Sequence, residues 1–204
     1  MEKSNCPMPL EDIKERVLSA IVDLYRYDGD LLDSDANERS ITHKLAEHLQ
    51  LRFPSWNVDC EYNRWFGEPK RINATVEKLA KVLVENVAKE DSLESTFADM
   101  IADTEARTVF PDVIVHKRGR PDNLIVIKVK KHSNSSNRES DEHKLKAFTV
   151  NREFRYRIGL LLEIGTTHEA AGITVYSRGK ERLDLSEDWK TTLDKRLEVL
   201  GYGG

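Results

Sequence analysis

Hydrophobic residues in the first part of the chain recur every three or four positions, which is the spacing of amphipathic helices. One stripe predicts a helix over residues 10–26, and its members are Leu10, Ile13, Val17, Ile21 and Leu24. A second stripe predicts a helix over 38–50, and its members are Ile41, Leu45 and Leu49. The segment between them, DGDLLDSDAN at 28–37, is rich in aspartate and predicts an acidic loop.

The pattern changes at NVDCEYNR, residues 57–64, where polar and apolar residues alternate and predict a half-buried strand. Apolar runs predict two strands within 110–131 and further strands at 156–163 and 172–177. Helical spacing returns at 74–89, 92–102, 141–153 and 187–200, and HSNSSNRES at 132–140 predicts a polar loop. Strands interleaved with helices predict one α/β domain over 1–204, with helices on the faces of a sheet and a helical insertion around 67–107.

Composition is that of a globular chain, with 39% apolar and 33% charged residues. No apolar stretch is long enough to cross a bilayer, and the first residues do not form a basic segment followed by an apolar one. We therefore expect a cytoplasmic protein without a membrane partner. The two cysteines, Cys6 and Cys60, are far apart and form no CxxC pair, which favours neither a disulfide framework nor a zinc site.

Charge is distributed unevenly along the chain. The net charge is −4, yet residues 107–157 hold 13 Lys and Arg against 6 Asp and Glu. A basic segment within an acidic protein is a candidate site for a polyanion such as nucleic acid. The alternative is a basic face that is simply solvated.

The basic segment contains FPDVIVHKRGRPDNLIVIKVKK, residues 110–131, in which charged residues interrupt two apolar strands. A turn midway along this hairpin pairs residue 116 with 124 and residue 112 with 128, so Asp112 faces Lys128. Because side chains alternate along a strand, Lys128 and Lys130 share one face, and the apolar residues between them occupy the other. Buried charges are unfavourable unless they are paired or bind a metal, so this cluster is either a salt-bridged patch or a site.

The sequence PD at 111–112, an apolar strand and VIKVKK at 126–131 together resemble the signature of the PD-(D/E)XK nuclease superfamily. The resemblance implies a restriction endonuclease-like core, in which a mixed β-sheet is flanked by helices. It also implies that an aspartate and an acidic residue two positions before a lysine hold divalent ions, Mg²⁺ or Mn²⁺. The lysine then positions or activates the attacking water. In this chain the aspartate is Asp112 and the lysine is Lys130, but Lys128 occupies the acidic position.

A further carboxylate is implied by the same resemblance, because members often supply a glutamate from a helix before the first strand. Glu38 stands at that place, and at 100° per residue it lies within the apolar stripe of its helix, where a carboxylate is out of character. We expect it to point at the sheet as a candidate catalytic residue and metal ligand. The alternative is a capping box, with Asp35 at the N-cap and Glu38 three residues later.

Lys128 departs from the pattern in a way that changes the chemistry. An ammonium group offers Mg²⁺ no ligand and alters the local charge by two units relative to a carboxylate. We expect Lys128 to pair with Asp112, Lys130 to share that partner, and metal binding to be weak or absent. Three explanations stay open: an introduced or selected inactivating substitution, a natural member that does not cut, or a carboxylate supplied from elsewhere. The candidates for that carboxylate are Glu163, Glu142 and Glu61.

Longer stretches, NERSITHKLAEHL, FPSWNVDCEYNR and TVFPDVIVHKRG, resemble a family of small uncharacterised bacterial proteins placed in this superfamily. The implied function is metal-dependent hydrolysis of phosphodiester bonds in DNA or RNA, impaired in this chain by Lys128. The alternative is a non-catalytic nucleic-acid-binding or regulatory module on the same fold.

Several residues near the strand pair are candidates for contact with nucleic acid. The basic candidates for phosphate contacts are Lys117, Arg118, Arg120, Lys131, Lys144 and Lys146. His116 is a further candidate for a phosphate contact, and the candidates for base stacking are Trp56, Trp65 and Phe66. A homodimer would suit a double-strand cutter, and the predicted helix at 74–89 is the candidate interface.

Overall fold

The structure is a computed structural model, and it describes residues 8–34, 36–61, 64–65, 68–69, 111–132, 138–150, 154–169 and 171–202. The helices in these residues are α1 (Leu10–Asp33), α2 (Glu38–Arg52), α3 (Arg138–Val150) and α4 (Leu183–Val199). The first five strands are β1 (Asn57–Cys60), β2 (Arg64–Trp65), β3 (Glu68–Pro69), β4 (Val113–His116) and β5 (Asn123–Lys131). The last three are β6 (Ile158–Ile164), β7 (Gly172–Ser177) and β8 (Lys180–Glu181).

Six strands form one mixed sheet in the order β1-β4-β5-β6-β7-β8. Strands β5 and β6 are parallel, and every other neighbouring pair in this sheet is antiparallel. The connection between the parallel strands runs through α3, because parallel neighbours require a crossover. Strands β2 and β3 pair with each other in a separate antiparallel ribbon.

Helices cover both faces of the sheet, and β5 shows why. Its alternate residues Ile125 and Ile127 belong to a core shared with α1, α2 and α4. Val126, between them, packs into a second core with Leu145 and Phe148 of α3. A strand that is apolar on both faces is buried between two helical layers. The predicted α/β class, with helices on both faces of a mixed sheet, is confirmed, and none of the described helices is long and apolar enough to cross a membrane.

The end of α1 differs from the prediction. The helix continues to Asp33, so the acidic loop expected from residue 28 is wrong for 28–33. A kink at Asp28 (φ −123°, ψ 22°) interrupts the helix, and Leu32 beyond it is buried. The Asp33 carboxylate accepts hydrogen bonds from the backbone N–H and hydroxyl of Thr167 at 2.8 and 2.9 Å. These tertiary contacts stabilise an extra turn that the local composition disfavours.

Helix boundaries elsewhere also correct the sequence analysis. Asn37 is the N-cap of α2 and its side chain accepts the N–H of Ser40 at 2.9 Å, so the capping box from Asp35 is wrong. Helix α3 begins at Arg138, within the polar loop predicted for 132–140. The predicted helices at 74–89 and 92–102, including the candidate dimer interface, lie outside the described residues. Glu68–Pro69, inside the predicted helical insertion, is a strand.

Candidate functional site

The β4–β5 hairpin sets the geometry of the site. Val113 pairs with Ile127, which puts Asp112 opposite Lys128 as alternation predicts. Toward the turn the register shifts by one residue, so His116 pairs with Asn123 and the predicted partner, residue 124, is wrong. The shift lies at the far end of the hairpin from Asp112 and leaves the site unchanged.

Asp112 and Lys128 form a short ion pair within the sheet layer. The Lys128 Nζ lies 2.6 Å from Asp112 Oδ1, and the N–H of Val129 donates to Asp112 Oδ2 at 2.7 Å. The Lys128 side chain is only 14% exposed and the Asp112 side chain only 22%. Burial raises the pKa of Asp112, although the Lys128 ammonium and the Val129 N–H act against the rise. A tethered cation therefore stands directly beside the aspartate.

A second aspartate, Asp141 of α3, belongs to the same cluster and was missed by the sequence analysis. Its Oδ2 lies 3.0 Å from the Nζ of Lys130, and its Oδ1 lies 3.8 Å from the Nζ of Lys128. The ion pair expected between Lys130 and Asp112 is replaced by this pair with Asp141. The signal that singled out Glu38 could have found it, because Asp141 lies four residues before Leu145 on the buried stripe of α3.

Glu38 points at the sheet, as predicted. Its Oε2 accepts a hydrogen bond from the backbone N–H of Lys131, at the end of β5, at 3.3 Å. Glu38 and Asp112 line one cavity of about 450 Å³. Among the described residues, this cavity is also lined by Asn37, Arg39, Thr42, His43, Cys60 and Glu61. Burial raises the pKa of Cys60 to about 11, which favours the protonated thiol over the reactive thiolate.

The three carboxylates considered as substitutes for an acidic residue at position 128 contact arginines instead. Arg138 contacts Glu142 at 3.1 Å and Glu163 at 2.5 Å. Arg39 contacts Glu61 at 3.0 Å. None of these carboxylates pairs with Lys128, which is held by the two aspartates.

Three of the six basic residues expected to contact phosphate have acidic partners, and they are Arg118, Lys144 and Lys146. Lys144 lies 3.7 Å from Asp141, and Lys146 lies 3.7 Å from Glu142. The Lys117 ammonium lies 5.0 Å from the ring centre of Trp56, which packs partly buried against the core. Arg120 is exposed at the hairpin turn, and Lys131 is half-buried at the end of β5. The side chains of the other two aromatic candidates, Trp65 and Phe66, lie outside the described residues.

Asp59 of β1 contacts two of the candidates for phosphate binding, Arg118 and His116, near the end of β4 that is far from Asp112. The Arg118 guanidinium Nε donates to Asp59 Oδ2 at 2.9 Å, and the Nε2 of the buried His116 lies 2.7 Å from the same oxygen. Burial by itself would raise the pKa of Asp59, but hydrogen bonds from Arg118 and His116 outweigh burial and lower it. A phosphate that approached these residues would compete with an ionised carboxylate.

The cluster of Asp112, Lys128, Lys130 and Asp141 is hereafter the central charge cluster. Within the residues that the structure describes, no group of three or more His, Cys, Asp or Glu side chains could hold a metal ion. No protein-family model, curated protein or solved structure matches the chain. Information about function therefore comes from the chemistry of the central charge cluster and the cavity beside it.

Proposed function

We propose that the chain is a PD-(D/E)XK-like nuclease domain with a restriction endonuclease-like core, and that Lys128 closes its metal position. The ancestral activity is metal-dependent hydrolysis of phosphodiester bonds in DNA or RNA. The observation that carries the proposal is the 2.6 Å ion pair between Asp112 and Lys128. Asp112 stands immediately before β4 and Lys128 on the adjacent β5, at the positions that the resemblance assigns to metal ligands, and Lys130 follows on the same face of β5.

The charge of the central charge cluster supports this proposal. Its two aspartates and two lysines sum to zero, whereas a glutamate at position 128 would leave a charge of −2. That is the charge that one divalent ion neutralises. The residues present do not fit such an ion, because the Lys128 ammonium has no lone pair to donate and already occupies the space beside Asp112.

The position of Glu38 adds support from a different element. A carboxylate from α2 shares a cavity with Asp112, and both lie where the resemblance expects acidic groups. The mixed sheet with helices on both faces is also the architecture expected of such a core. A divalent ion in that cavity would polarise a phosphate and activate water when bound.

A second candidate function is a non-catalytic nucleic-acid-binding or regulatory module. It is favoured by the pairing of Lys128 and Lys130 with aspartates, which makes the central charge cluster a neutral patch in this chain. The exposed Arg120 and the half-buried Lys117 at the hairpin turn would supply phosphate contacts.

Cleavage by the unaltered chain and by Lys128→Glu separates the two functions. Each protein is incubated with single-stranded DNA, double-stranded DNA and RNA in the presence of Mg²⁺ or Mn²⁺. We expect cutting by Lys128→Glu alone, and no cutting by Lys128→Glu/Asp112→Asn. If both chains bind nucleic acid and neither cuts, the binding module is the better account. Cutting by the unaltered chain would show that position 128 has been wrongly assigned.

A further inference from the structure

Lys130 is the buried lysine of the site, and a neighbouring element fixes its charged end. The residue is 6% exposed, and its Nζ lies 3.0 Å from Oδ2 of Asp141, which is 7% exposed. An ammonium removed from water requires a counter-charge and hydrogen-bond acceptors. Asp141 provides the counter-charge from the first turn of α3.

Asp141 is itself held in place by the packing of α3. Leu145 and Phe148, on the same stripe of the helix, are fully buried against the sheet. Arg138, in the same turn as Asp141, reaches across to Glu163 on β6 at 2.5 Å. The Asp141 carboxylate is therefore fixed relative to β5 by contacts on both sides of it.

We propose that Asp141 is a positioning residue for the hydrolytic reaction, because it holds the Lys130 ammonium in the orientation in which Lys130 acts. This role rests on the proposed function. A lysine side chain has many rotamers, and only a few of them place its ammonium where it could act in the reaction. The ion pair with Asp141 favours one rotamer of Lys130. Asp141 lies on α3, outside the motif at 110–131.

Glu142 provides the matched control. It is the next residue of α3 and carries the same charge, but it forms ion pairs with Arg138 and Lys146 and not with Lys128 or Lys130. Removing the charge of Glu142 therefore perturbs the same helix without touching Lys130. Asp141→Asn and Glu142→Gln are isosteric replacements that break different ion pairs, those of Asp141 with Lys128, Lys130 and Lys144 and those of Glu142 with Arg138 and Lys146.

The first measurement detects the Lys130 ammonium in the unaltered chain by ¹⁵N-resolved NMR, where no metal or activity is needed. Such a signal is visible only when burial and hydrogen bonding slow the exchange of its protons with water. We expect a Lys130 signal in the unaltered chain and in Glu142→Gln, and its loss in Asp141→Asn. A signal that persists in Asp141→Asn would overturn the proposal.

The second measurement follows cleavage in the Lys128→Glu background. Adding Asp141→Asn is expected to lower kcat on the order of 10- to 100-fold, the usual effect of losing an orienting partner, and to leave KM within about 2-fold. Asp141→Glu is expected to restore part of the rate, and Glu142→Gln to leave it unchanged. An unchanged kcat in Asp141→Asn would overturn the positioning role.

The two measurements keep the proposals distinct. One outcome is that Lys128→Glu cuts no substrate while the Lys130 signal still depends on Asp141. In that case the proposed function and the positioning role of Asp141 in catalysis are both refuted, but the ion pair between Asp141 and Lys130 is supported. If Asp141→Asn does not fold, as judged by circular dichroism, Asp141→Glu takes its place in both measurements. It keeps the charge but shifts the carboxylate, so a shifted Lys130 signal and a lowered kcat are expected, and no change in either would refute the role.

Discussion

At the scale of the residue, two aspartates beside β4 show how local surroundings set charge. Burial raises the pKa of Asp112, against the opposing effect of Lys128. Asp59 is also partly buried, yet Arg118 and His116 hold its pKa below the usual range. Burial is the largest influence on both pKa values, and only at Asp59 do the hydrogen bonds and charges of the neighbouring donors outweigh it. Asp112 accepts hydrogen bonds from one ammonium and one backbone N–H. Of the two aspartates it is the harder to ionise.

The pH dependence of stability should expose the role of Lys128. Because the pKa of Asp112 is raised in the folded state, protonation of Asp112 favours folding, and that contribution is lost as the pH rises through this pKa. Lys128→Met removes the nearest cation and raises the pKa further. We expect it to lower the free energy of unfolding by about 1–3 kcal/mol at pH 7 and by clearly less near pH 4.

Urea unfolding of Lys128→Met at the two pH values measures this effect. Lys190→Met is the control, because Lys190 forms an exposed ion pair with Asp194 on α4, and its loss should change stability little at either pH. An equal loss of stability at both pH values in Lys128→Met would contradict the account.

The residue scale also shows what the sequence could predict. Asp112 and Lys128 were placed opposite each other because a hairpin is local, and its alternation and register follow from short-range rules. Asp141 could not be paired with Lys130 in that way. Its position depends on how α3 sits across β5, which is a long-range packing result, and only its place on an apolar stripe gave a signal.

At the scale of the element, the close approach of α3 to β6 positions the site. A Cβ added at Gly159 would lie 3.2 Å from Thr149 Cγ2 and 3.3 Å from Tyr176 Cβ, so only glycine fits without a shift. The helix that carries Asp141 thus rests against the backbone of β6. The hydrophobic periodicity of the sequence predicted the class and order of the elements. It could not predict how closely α3 approaches β6, because that distance depends on the packing of side chains from three elements.

Gly159→Ala tests the importance of that approach. The added methyl group must displace α3 or its neighbours, and we expect a loss of about 1–3 kcal/mol in the free energy of unfolding. We also expect the Lys130 ammonium signal to weaken, because Asp141 moves with α3. Denaturant unfolding and the NMR measurement check the two effects. Unchanged stability with an unchanged Lys130 signal would mean that α3 is not held by this contact.

At the scale of the whole molecule, several basic side chains of residues 107–157 are paired with acidic side chains. Arg118 pairs with Asp59, Lys144 with Asp141 and Lys146 with Glu142. Asp59 comes from another segment and reduces the basic surplus, whereas Asp141 and Glu142 lie within 107–157 and are already counted in it. Composition predicted a charged segment correctly, but the pairing of its charges depends on the fold.

Nucleic-acid binding should therefore depend only modestly on salt. With three of the six basic candidates paired with acidic side chains, we expect log K to fall with log salt at a slope of about −2 to −3, as few phosphate contacts give. Arg120→Gln, at the exposed turn, should reduce the magnitude of that slope by about one. Fluorescence anisotropy with a labelled oligonucleotide measures both. A much steeper slope, or one that Arg120→Gln does not alter, would contradict this view of the surface.

The central claim is that one side chain closes a divalent-metal position. Calorimetric titration of Mn²⁺ into the unaltered chain and into Lys128→Glu tests it directly, with Lys128→Glu/Asp112→Asn as the control. The account predicts binding and a rise in thermal stability with Mn²⁺ for Lys128→Glu alone, because a charge of −2 then replaces a neutral cluster. Equal binding by Lys128→Glu and the unaltered chain, or no binding by either, would contradict it.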